Sequence, residues 1–395
     1  MLHVTDGHRR ARIGRRHGLH RDYRYDDVVA ATTAMTALHA TEPATPHLAL
    51  RARVGSLTVG DVEAALYDER SLVKPMAMRR TLFVVTRQLL PSVVGSAGRR
   101  VAEAERRRLA KEAADLEHAL GEAWVATVSK EIVDALTGVE LSARELRDAL
   151  PHVGGTFTAA PGSKWSAEVP MMSRFLTILG ADGDVVRAHN AGHWRISRPR
   201  WTAMATWLGE ALTPSRSGAG YAEVVRHSLW TFGPATEADL VWWLGATKAV
   251  VRDALADVHA IEVRLEDGAT GWVLPDDTAD LEAPPSKEPW VALLPVLDPT
   301  TMGWRDRGFY LDPVHTPYLF DRAGNGGTTI WVNGRIVGCW VQDERERVQL
   351  VVLESLSKRE QRMLDAEAAR LDEFLGGEHI TNVFASPQMK HQRIS

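Results

Sequence analysis

Three stretches of the chain alternate polar and apolar residues in one order: T-V-G-D-V-E-A-A-L from Thr58, S-A-R-E-L-R-D-A-L from Ser142 and T-E-A-D-L-V-W-W-L from Thr236. Each opens on Ser or Thr, places an acid three residues on, follows it with an aliphatic residue, and sets Leu four further. A hydroxyl that accepts from the third helical N–H, with the acid there reaching back to the hydroxyl residue's own N–H, is a capping box. Aliphatic residues four apart lie on one helical face. The same short helix is thus predicted three times, at intervals of 84 and 94 residues.

The residues downstream of these helix starts are also alike. After Ser142 a Gly/Pro-rich loop leads to a helix over Val169–Leu179, with Met172, Phe175, Leu176 and Leu179 inward. Two strand-like runs come next, Asp184–Ala188 and His193–Ser197, joined by H-N-A-G. After Thr236 a Gly-Ala-Thr-Lys turn leads to a helix through Ala256, then to runs Ile261–Leu265 and Gly271–Leu274 around E-D-G. After Thr58 the pattern places a second helix over Ser71–Met76 and a wing strand over Thr81–Val85. Helix, turn, helix, β-hairpin is the order of a winged helix-turn-helix.

Pro/Gly/Ser-rich breaks at 213–220 and 281–289 divide the chain. The predicted units are residues 1–120, 121–212 and 221–280 as winged helices, and 290–395 as a C-terminal domain. There the texture changes: Trp290–Leu297, Thr329–Val332, Arg335–Val341 and Arg347–Leu353 read as strands. Asn333-Gly334 between two apolar runs is a strong hairpin signal. A helix over Lys358–Leu375 comes after them, with Leu364, Ala368, Leu371 and Leu375 on one face and Gly376-Gly377 as its C-cap. The predicted class is α+β: three tandem winged helices and a small antiparallel, β-barrel-like domain with a packed helix.

Bulk composition narrows the function. One cysteine, Cys339, excludes an internal disulfide and any Cys-rich zinc site. No secretory signal is evident at the N-terminus and no apolar run approaches the ~18 residues of a membrane span, so a cytoplasmic monomer is expected. Net charge is −4, yet residues 1–110 carry 19 Lys and Arg against 11 Asp and Glu, leaving 28 and 40 in the remainder. A basic third on an acidic body suits a polyanion bound at one place, although solvated arginine-rich helix faces give the same count.

Most familiar chemistry is missing: there is no H-E-x-x-H, paired C-x-x-C, G-x-S-x-G or phosphate loop. The glycines of Ala323–Gly327 lack a βαβ context and read as a turn, and Trp207, Trp242 and Trp243 read as core. One segment stands apart, M-T-A-L-H-A-T-E-P-A-T-P-H-L-A-L-R-A-R-V from Met35. A helix is expected to stop on His39, Thr41 and Glu42, with Pro43 and Pro46 breaking it. On composition alone these three read as a core imidazole, a helix-ending residue and a cap.

That segment, with S-L-V-K-P-M-A-M-R-R-T-L-F-V-V from Ser71, L-L-P-V-L-D-P-T-T-M-G-W-R-D-R from Leu293 and W-V-N-G-R-I-V-G-C-W from Trp331, resembles the AlkZ/YcaQ family of winged-helix DNA glycosylases. The blocks lie in order over nearly the whole chain. The resemblance implies three winged helices and a C-terminal β-barrel in a C-shape around duplex DNA. It implies hydrolysis of the N-glycosidic bond of alkylated bases, notably N7-alkylpurines, bulky adducts and interstrand crosslinks, with no metal or organic cofactor. The family's Gln-x-Gln or Gln-x-Asp motif falls on His39, Ala40 and Thr41, so both motif side chains differ here. A neutral imidazole accepts a proton from water, Thr41 is placed to hold that water, and Glu42 to orient the ring or stabilise cationic charge. Arg51, Arg53, Lys74, Arg79 and Arg80 are the expected phosphate contacts. A non-catalytic winged-helix DNA-binding protein or transcriptional regulator is the alternative.

Overall fold

All three predicted helix starts are closed capping boxes: Thr58 with Asp61, Ser142 with Glu145 and Thr236 with Asp239. In each, the hydroxyl accepts the acid's own N–H while the carboxylate accepts the N-cap N–H. A fourth box, Ser357 with Glu360, begins the C-terminal helix Lys358–Leu375 and went unread in the sequence. The computed structural model describes residues 1–115, 121–159, 166–282 and 288–391. Parts of the loop after Ser142 and of the 281–289 break lie outside the described residues.

The helices and strands expected after Thr236 are present. Helix Glu237–Leu244 ends at Gly245, whose φ of 63° suits a residue without Cβ, and helix Lys248–Asp257 leads to antiparallel strands Ile261–Leu265 and Thr270–Val273. The N-terminal strand His3–Val4 adds to this sheet in parallel, a long-range pairing with no local signal. In the second unit, helices Ala143–Ala149 and Met171–Asp182 precede strands Val185–Asn190 and Pro199–Ala203. His193–Ser197, expected as a strand, is the turn between them. Asn190 Nδ2 donates to the carbonyls of Gly192, His193 and Ile196, and its Oδ1 accepts Arg198 N–H, so these groups are not free for a ladder.

The first unit departs most. Ser71–Met76 is not a helix: Leu72–Val73 is a strand paired with Phe83–Thr86. Pro75 supplies no N–H, and Ser71 O accepts Arg87 N–H at 2.8 Å, extending the strand pair. The helix before the motif stops earlier than expected, Val28–Ala34, with Thr36 turning at φ 63°. Leu38–His39 is therefore a strand on the other edge of Phe83–Thr86, giving a three-stranded sheet in the order 38–39, 83–86, 72–73.

The C-terminal strands Val291–Leu294, Thr329–Val332, Arg335–Gln342 and Val348–Val352 form an antiparallel sheet in sequence order. Asn333 and Gly334 turn at φ 50° and 82°, as a tight hairpin demands. Leu364, Ala368, Leu371 and Leu375 pack on Ile330, Val337 and Trp340 of that sheet. One apolar core runs from Leu38 and Phe83 through Leu229, Phe232 and Trp243 to Trp304, Tyr310 and Trp331, joining the first, third and C-terminal segments. The second unit keeps its own core of Met172, Phe175 and Leu176 against Val125, Val128 and Ile132. Each fully buried side chain of this size contributes about 1.5–3 kcal/mol. Among the described residues no helix is long and apolar enough to cross a membrane.

Candidate functional site: a basic hollow on the motif strand

His39 pairs with Phe83 in the sheet, and Ala40 N–H donates to Leu82 O at 2.9 Å. Extended backbone sends alternate side chains to opposite faces. His39 and Thr41 accordingly line one hollow of about 390 Å³, while Ala40 faces a different cavity. Arg79, Arg80, Arg187, Asn325 and Phe384 are also in the wall of the hollow, and no acidic side chain among the described residues lines it. The His39 ring sits 4.5 Å from Phe83. It is 3% exposed, and neither ring nitrogen has a hydrogen-bond partner. Burial, and then Arg79, pushes its pKa down from 6.5 to about 3, so the imidazole is neutral. Thr41 is exposed at the mouth.

Arg79 and Arg80 both occupy left-handed backbone, at φ 54° and 58°. For residues with a Cβ this costs roughly 1–2 kcal/mol each, and such strain persists only where neighbours impose it. Here the third unit imposes it: the Arg79 guanidinium lies 4.5 Å over the Trp242 ring, and a Cβ on Gly245 would come within 3.1 Å of Arg79 Cγ. Trp242, expected in the core, packs partly buried against it and also carries a second cation, Arg307, at 5.7 Å. Burial and Arg307 lower the Arg79 pKa to about 10, which leaves it charged at neutral pH. Arg80 is half exposed and touches Glu105 at 3.2 Å.

Other predicted contacts lie elsewhere. Arg51 is buried against Glu367, 316 residues away. Arg53 is fully buried, forked onto Asp298 at 2.7 and 2.9 Å and bonded to Thr300 at 2.7 Å. Neither is available to a phosphate. Glu42, 3% exposed, accepts Phe384 N–H at 2.8 Å; burial raises its pKa. It does not orient His39, whose nitrogens are unbonded. Its effect is to fix the C-terminal segment that brings Phe384 to the hollow. Lys74 lines the cavity behind Ala40, not the hollow. Arg12, Arg15 and Arg16 pair with Asp277 and Asp280, so much of the basic surplus of the first third is consumed internally. Arg187, Asn325 and Phe384 went unread because they come from distant segments without a local motif. Asn325 belongs to the expected turn, closed by Asn325 O accepting from Asp321 N at 3.0 Å.

The hollow thus sets a buried, neutral imidazole beside Arg79, Arg80 and Arg187 in a mixed α+β fold. The chain belongs to the AlkZ-like DNA glycosylase family, whose model matches residues 32–374. DNA is therefore the class of substrate and DNA repair the setting. Among solved structures, the DNA glycosylase AlkZ of Streptomyces sahachiroi is similar at a TM-score of 0.77 and 18% identity, over 96% of this chain and 99% of that one. At that identity the likeness speaks to the fold. No curated protein matches the chain.

Proposed function

We propose that the chain hydrolyses the N-glycosidic bond of cationic alkylated bases in duplex DNA, N7-alkylpurines and their bulky or crosslinked forms, with three winged-helix units around the duplex, the first of which has a strand where its second helix was expected. An N7-alkylpurine carries positive charge and leaves with the bonding electron pair as a neutral base. Water then bonds to C1′ of the oxocarbenium-like sugar and gives its proton to His39, while Thr41 holds the same water. A neutral imidazole serves twice. It accepts from water, and it adds no positive charge beside a cationic base and sugar. Arg79, Arg80 and Arg187 take the flanking phosphates, positioning the strand without reading its sequence. No lysine among the described residues lines the hollow, so nothing there forms an imine with the sugar, which fits monofunctional release. Because the hollow is open, bulky adducts need not be flipped into a tight pocket, unlike the substrates of most base-processing enzymes.

The observation that carries this reading is the buried imidazole with both nitrogens unbonded beside three arginines. Incubating the protein with duplex containing N7-methylguanine tests it: alkali-labile abasic sites are expected at the lesion and absent from lesion-free duplex. The standing of His39 where the family carries Gln favours a second reading, a DNA-binding protein without cleavage. Tight, lesion-independent binding with no base released would establish that reading instead.

A further inference from the structure

Behind the motif strand, on the side Ala40 faces, lies a second cavity of about 40 Å³. Lys74, Arg187, Tyr67 and His47 line it. Lys74 Nζ donates to Tyr67 Oη at 2.6 Å and rests 4.5 Å over the same ring. Arg187 lies over Trp201 at 5.3 Å, and its buried Nε has no hydrogen-bond partner. His47 is buried there, with the Pro43 backbone as its polar neighbour. Among the described residues, no carboxylate forms an ion pair with Lys74 or Arg187. Two cations thus share a largely dehydrated space with no paired carboxylate among the described residues, Glu63 acting on Lys74 only through space, an arrangement that costs energy until an anion enters.

We infer that this cavity binds an oxyanion of the phosphate class, held by Lys74, Arg187 and the Tyr67 hydroxyl. The groups are mostly donors, which suits a guest that only accepts. Arg187 and Leu82 line both this cavity and the hollow, so an occupant fixes Arg187 between the two. Burial, then Arg187, draws the Lys74 ammonium down to about 7, with Glu63 opposing and Tyr67 and His47 uncharged at neutral pH. A bound anion favours the protonated ammonium. The inference does not depend on base cleavage.

Two sources share this chemistry, free phosphate and the DNA backbone, and one experiment separates them. Thermal unfolding of the wild type is compared in 10 mM inorganic phosphate and in chloride of equal ionic strength, beside Lys74→Met, which keeps the apolar stem. Free phosphate is expected to raise the wild-type Tm by about 2 °C or more and to leave Lys74→Met unmoved. If the guest is a backbone phosphate, phosphate gives no shift, but Lys74→Met flattens the log–log salt dependence of duplex binding by about 0.9. Absence of both effects in folded protein would overturn the inference. Lys74→Gln replaces Lys74→Met should the latter fail to fold.

Discussion

At the scale of residues, His39 owes its chemistry to what does not touch it. Its neighbours are a phenyl ring and an arginine, and among the described residues no carboxylate is there to draw a proton onto it. Arg80 shows the complementary case, a side chain aimed at the cost of left-handed backbone. Arg80→Gly relieves that strain and loses only an exposed pair with Glu105, worth under about 1 kcal/mol. We predict a Tm unchanged or higher, with weaker duplex binding and a salt slope flatter by about 0.9; unaltered affinity in a binding titration would remove Arg80 from the phosphate contacts. Arg53 behaves oppositely. Arg53→Met strands buried Asp298 and should cost about 3–5 kcal/mol by denaturant unfolding, with the salt slope of DNA binding unmoved. His39, Thr41, Arg79 and Arg80, singled out by local pattern and a family motif, line one hollow whose other walls the sequence does not announce. Arg51, Arg53 and Glu42 were misplaced because their partners lie at 367, 298 and 384, where no local reading reaches.

At the scale of elements, the capping boxes were the most readable feature, since hydroxyl and acid three apart satisfy each other whatever surrounds them. They are not equal in energy. Asp61 is exposed and serves only its own helix, whereas buried Asp239 also accepts N–H groups of Arg305 and Asp306 at 2.8 and 3.3 Å. Asp61→Ala should cost about 1 kcal/mol, and Asp239→Ala about 2–4 kcal/mol, because the latter strands donors of the C-terminal segment. Urea midpoints measure both, and equal losses would contradict the tether. The misread elements share one cause. Ser71–Met76 and His193–Ser197 are short and decided by partners outside themselves: the ladder from Phe83–Thr86 in one, the Asn190 side chain in the other. Strand His3–Val4, added to a sheet some 260 residues on, has no signature in its own sequence.

At the scale of the whole molecule, one core ties the first, third and C-terminal segments together, and three of the four buried histidines among the described residues, His17, His39 and His47, sit within it or at its edge. Burial is the leading cause that pushes each pKa from 6.5 to about 3. Between those values the unfolded chain binds protons that the native one does not, so stability rises with pH there and is lost as pH falls from about 6.5 toward 3. The slope reaches about 4 kcal/mol per pH unit if all three contribute. Urea midpoints at pH 7.5, 6 and 5 should fall in that order; a flat profile would mean the imidazoles are not held neutral. In the proposed reaction the same burial matters, because it keeps the water-accepting imidazole uncharged among the arginines. The direct test is single-turnover base release from N7-methylguanine duplex under saturating protein, comparing wild type with His39→Ala at matched DNA affinity. A loss of about 10²–10⁴-fold with binding retained is the predicted result. Release at the wild-type rate from His39→Ala would contradict the account.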